Sequence, residues 1–69
     1  MSKTYVYVMR DVVQDAYLIK EGLPDGKVRA LFGPMFHAFQ WDSELEAQPD
    51  LVQQQVQGRM VMLEQVNLV

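Results

Sequence analysis

The stretch Ala30 to Trp41, ALFGPMFHAFQW, constrains the fold of this chain most, because it holds all three Phe residues, the one Trp and the one His. In an extended conformation successive side chains alternate, so Met35, His37, Phe39 and Trp41 share one face and Phe36, Ala38 and Gln40 the other. Both faces are then partly apolar, and such a strand needs cover on both sides. The competing conformation is a helix entered at Pro34, which suits a first helical position and aligns Met35 with Phe39 at i, i+4. Aromatic enrichment and the Gly33-Pro34 break favour the strand over residues 35–41. On that reading His37 lies buried among Met35, Phe39 and Trp41 as a neutral imidazole.

Length decides how much cover the chain can supply. At 69 residues it is one domain, spanning residues 1–69, of a size that buries only about 60% of its unfolded surface. Cysteine is absent, so no disulfide staples the fold and no thiolate holds zinc or acts as a nucleophile. No apolar run approaches the ~20 residues of a membrane span, and the N-terminus lacks the basic-then-apolar pattern of a secretory signal. The expectation is a cytoplasmic protein with no membrane partner. The net charge of −3 is unevenly placed: after Gly33 only Arg59 opposes Asp42, Glu44, Glu46, Asp50 and Glu64. There is no concentrated basic surface of the kind phosphate binding demands, so nucleic acid is not an expected partner.

In chain order, Thr4 to Arg10 alternates, with Tyr5, Tyr7 and Met9 against Val6 and Val8, the clearest strand pattern present. Asp11 to Gln14 turns the chain into a second strand over 15–20, where Ala16 and Leu18 oppose Tyr17 and Ile19. Leu23-Pro24-Asp25-Gly26 is a turn, since Pro24 presets φ and Gly26 relieves the exit. Residues 27–32 read as a third strand in preference to a helix from Pro24 to Phe32, because Gly26 would weaken that helix by about 1 kcal/mol. Ser43 with Glu46 forms a capping-box pattern, but Pro49 opposes continuation. The definite helix therefore runs from Asp50 to Gln57, with Leu51, Val52 and Val56 inward, Gln53, Gln54 and Gln57 outward, and Gly58 as its stop. Met60 to Leu63 are consecutive apolar residues, which predicts a final strand over 59–66 in the interior of the sheet. The fold class is thus α+β, a small single-layer antiparallel sheet of four to five strands with one short amphipathic helix near the C-terminus.

The residues that carry chemistry elsewhere have structural readings here. A lone His37 without a nucleophile is no catalytic signal. Asp42, Glu44, Glu46 and Asp50 lack the spacing and central Gly of a calcium loop and suit the positive end of a helix. No catalytic residue, metal ligand or cofactor is assigned. Tyr5, Tyr7 and Tyr17, gathered by adjacent strands into one amphipathic patch, and Phe39 and Trp41 are the candidates for protein contact.

Two resemblances are present, the first over less than half of the chain. The opening YVYVMR, then DAYLIKEG and Arg29, resembles the start of a GIY-YIG nuclease domain without its diagnostic tripeptides, which implies Tyr5 or Tyr7 and Arg29 as catalytic candidates. Tyr17-Leu18, Leu23-Pro24-Asp25 and Phe32-Gly33-Pro34 resemble the small YcgL type, which implies a helix over residues 24–32 and no known chemistry. With no nucleophile constellation and no phosphate-cradling loop, the expected function is a small non-catalytic protein-binding module, an adaptor or inhibitor acting by surface occupation through a protein partner or as a homodimer. The alternative is a reduced metal-dependent nuclease of GIY-YIG type.

Overall fold

The computed structural model describes residues 4–68. Four strands, β1 (Tyr5–Asp11), β2 (Ala16–Gly22), β3 (Val28–Gly33) and β4 (Val61–Asn67), and one helix, α1 (Glu44–Val56), follow in the order β1-β2-β3-α1-β4. The strands form one antiparallel sheet in the order β3-β2-β1-β4. The fold is α+β as expected, with four strands and the helix on one face of the sheet.

Both predicted turns form. Asp11 Oδ1 accepts from the backbone N–H groups of Val13 and Gln14, which caps the β1–β2 turn in the way a short acidic side chain can. In the β2–β3 turn the Gly26 N–H donates to Leu23 O at 3.0 Å and the Leu23 N–H to Lys27 O at 2.8 Å, with Gly26 at φ 85°, a conformation that disfavours a side chain. Residues 28–33 are therefore a strand, and the helix over 24–32 implied by the second resemblance does not form.

The aromatic stretch is neither the strand nor the α-helix expected. Met35–His37 form a single 3-10 turn, and residues 38–41 then enter a fork between β1 and β2. Those two strands pair only at Arg10 with Tyr17 and Asp11 with Ala16. Beyond that point the Phe39 N–H donates to Leu18 O at 2.9 Å, while Trp41 and Tyr7 exchange both backbone hydrogen bonds at 2.9 Å. The segment thus pairs with one strand on each side, and its burial need is met at Trp41, which is 6% exposed. His37 is exposed on the 3-10 turn and stacks near Phe36, because the turn lifts it off the core that a strand would have delivered it to.

The register sorts side chains between the faces. Tyr7, Met9, Leu18, Phe32, Val61 and Leu63 share the helix side, where Met9, Leu18, Trp41 and Ala47 form the buried centre and Leu51 packs against them. Val6 and Val8, also buried, project to the opposite face. β4 pairs with β1 along its whole length but lies at the edge. Its consecutive apolar residues do not mark an interior strand: Met60 and Met62 are exposed, and only Val61 and Leu63 reach the core cluster.

Candidate functional site

Helix α1 is the element whose surface differs most from its expected form. It is one helix over residues 44–56, and Pro49 lies inside it. Pro49 removes the N–H that would have bonded to Leu45 O, and Leu45 is fully on the solvent side, 81% exposed, where water can take that carbonyl. The N-terminus is fixed by Ser43, whose Oγ accepts from the Glu46 N–H at 3.2 Å, and by Glu46 Oε2, which accepts from the Asp42 N–H. At the other end the Arg59 N–H donates to Gln54 O and the Gly58 N–H to Gln55 O, the pair of bonds that closes a helix through a left-handed glycine. Gly58 sits at φ 88°, and the predicted stop is the observed one.

With both ends pinned, the rotation of the helix is set. Ala47, Leu51 and Gln54 face the sheet, and Ala47 and Gln54 are buried. Val52 and Val56, expected inward, are 51% and 81% exposed, while Gln54, expected outward, is 5% exposed. The reason is the earlier start: a helix beginning at Glu44 places its inward line through Ala47, directly over Trp41. Leu45, Pro49, Val52 and Val56 then fall at spacings of four, three and four, in a stripe about 60° wide at ~100° per residue, all exposed. They are flanked by Gln48 and Gln55 on one side and Glu46 and Gln53 on the other. No Lys or Arg occurs in the helix.

The sequence-predicted contact residues do not form one patch. Tyr5 and Tyr7 stack edge to face with centroids 5.7 Å apart on the helix side, and the Tyr7 hydroxyl meets Glu44. Burial, reinforced by that carboxylate, raises the Tyr7 pKa above its ordinary value. Tyr17 projects to the opposite face, level with Arg10, where its hydroxyl donates to Glu64 Oε1 at 3.0 Å. That hydrogen bond, and next its burial, raises the Tyr17 pKa. Trp41 is core. Phe39, 36% exposed, packs on it with ring centroids 4.9 Å apart and carries the Lys20 ammonium 4.4 Å above its ring.

A groove of about 370 Å³ lies between α1 and the outer strand β3, with Phe32 and Ala30 at its floor and Lys20, Asp50, Gln54 and Arg59 among its walls. Its cations are already engaged, Lys20 by Asp50 at 3.1 Å and Arg59 by the buried Asp11 at 3.5 Å. Gln54 Oε1 is buried without a hydrogen-bond partner, and its inaccessibility keeps it from any molecule in the groove. The residues singled out by the nuclease resemblance are not gathered. Arg29 pairs with Glu21 on the open face of the sheet, across from the helix side that holds Tyr5 and Tyr7. Among the described residues no cluster of three His, Cys, Asp or Glu side chains could hold a metal ion, and no helix is long and apolar enough to cross a membrane.

Sequence reasoning missed Leu45 and Pro49. The signal was present in the four-three-four spacing from Leu45 to Val56, and it becomes visible once Pro49 is allowed inside the helix. No protein-family model matches the chain, and comparisons with curated proteins and with solved structures find no match.

Proposed function

We propose that this protein is a small non-catalytic protein-binding module, and that the outward stripe of α1 is its contact surface. The observation that carries this reading is that the helix has apolar residues on two opposite sides and the fold uses only one of them. Leu45, Val52 and Val56 remain at 81%, 51% and 81% exposure, in a contiguous line rather than scattered singly, and lines of that kind mark interaction sites more than isolated apolar residues do. The helix is capped at both ends, so the stripe exists before any partner arrives and little ordering cost attaches to binding. Tyr5 and Tyr7 border its N-terminal end through Glu44 and extend it with an amphipathic aromatic pair suited to an interface.

The test compares tagged wild type with the Leu45→Lys/Val56→Lys variant in capture from the native cell. A protein retained by wild type and lost from the variant, with far-ultraviolet circular dichroism unchanged, is the expected result. Identical sets of retained proteins would overturn the reading.

A further inference from the structure

The stripe on α1 reads the same in both directions. Its spacings are four, three and four, so a two-fold axis crossing the helix between Asp50 and Leu51 exchanges the positions of Leu45 and Val56 and those of Pro49 and Val52. We infer that the occupant of this surface is a second copy of the chain, its α1 antiparallel to the first, with Leu45 of each copy against Val56 of the other and Pro49 against Val52. This inference rests on the protein-binding reading and names the partner for it.

Three properties of the helix fit a second copy. The first is spacing: steps of three and four residues keep Leu45, Pro49, Val52 and Val56 on one face of the helix, where they can meet a neighbouring helix as a line, and in a two-fold contact each pairing occurs twice. The second is charge. Glu44 and Glu46 make the first turn acidic, and the last turn carries no charged side chain. An antiparallel copy brings the acidic end of each helix to the uncharged end of the other, which is also the favourable arrangement of the two helix dipoles. A parallel copy would oppose the acidic turns. The third is the flanking chemistry. The two-fold sets Gln48 beside Gln55 of the second copy on one flank and Glu46 beside its Gln53 on the other, and each glutamine carries both donors and an acceptor, so both flanks can hydrogen-bond across the contact and no two like charges face each other.

The contact is a single helix pair, smaller than the interfaces of tight complexes, so the dimer is weak and reversible, and sedimentation equilibrium must cover a wide concentration range. The expected result is a monomer–dimer equilibrium that Val56→Lys shifts by about tenfold or more in Kd, since each dimer loses two buried valines, with the thermal unfolding of the dilute protein unchanged. The orientation is read by cysteine crosslinking in this cysteine-free chain. Positions 45 and 56 lie ~16 Å apart along one helix, too far for an internal disulfide. Leu45→Cys/Val56→Cys should therefore oxidise to a covalent dimer, while Leu45→Cys alone should not. A monomer at every concentration, a dimer indifferent to Val56→Lys, or ready crosslinking of Leu45→Cys alone each overturns the inference. A monomer whose captured partner is still lost on substitution of the stripe leaves the protein-binding reading standing, so the two failures are distinguishable.

Discussion

Ala47, Leu51 and Gln54 look at the sheet from one side of α1, while Leu45, Pro49, Val52 and Val56 look at solvent from the other. The buried side is the smaller and more polar of the two. Its position is dictated from outside the helix: the Tyr7–Trp41 backbone pair fixes the chain two residues before the Ser43 cap, and the Gly58 closure returns it to β4. A helix held at both ends cannot rotate to bury its most apolar line. Ala47 is what permits close approach over Trp41, and Gln54 is the polar residue carried in with it. The comparison teaches that in a chain this short, the connections on either side of a helix can outweigh its amphipathicity in choosing the inward face.

The sharpest way to break this comparison is to remove what lies beneath the inward side. Trp41→Ala should cost about 3–5 kcal/mol, the usual range for truncating a buried aromatic, and leave the domain largely unfolded in a urea titration. Filling the inward side should cost less. Ala47→Leu has no room at a fully buried position and should destabilise by about 1–3 kcal/mol, whereas Val52→Leu on the outward side should leave the midpoint within about 0.5 kcal/mol. Equal responses at positions 47 and 52 would show that the two sides are not distinct. Gln54→Leu should raise stability by about 1 kcal/mol, because it removes a buried acceptor that has no partner while keeping the shape.

The smallest effect lies across the sheet. Tyr17→Phe removes the hydroxyl bonded to Glu64 and should cost about 0.5–1 kcal/mol in a partly exposed setting. Because the folded-state pKa of Tyr17 is raised above 10.0, its contribution is fully present below that pH and is lost as pH climbs through the raised value. Stability measured against alkaline pH should therefore fall less steeply in Tyr17→Phe than in wild type.

What the sequence disclosed follows the same division. Strands β1 to β3 and their turns were legible because alternation, Pro24-Asp25-Gly26 and Asp11 act locally. The Ser43-Glu46 cap and the Gly58 stop were legible for the same reason. The path of residues 35–41 was not, since the fork that receives Phe39 and Trp41 exists only once β1 and β2 have diverged. Nor was the edge position of β4, because an apolar run does not say whether a second layer exists to cover it. The rotation of α1 was misread through Pro49: a break there moves the start to Asp50 and turns Val52 and Val56 inward, whereas a proline with a solvated i−4 carbonyl lets the helix begin six residues earlier.

The rotation of α1 is the claim on which the binding surface depends, and methyl NMR with a soluble paramagnetic agent reads it directly in dilute protein. The methyl signals of Leu45, Val52 and Val56 should broaden strongly, while those of Leu51 and Leu18 stay sharp. Protection of Val52 and Val56 together with broadening of Leu51 would turn the helix over and contradict the account.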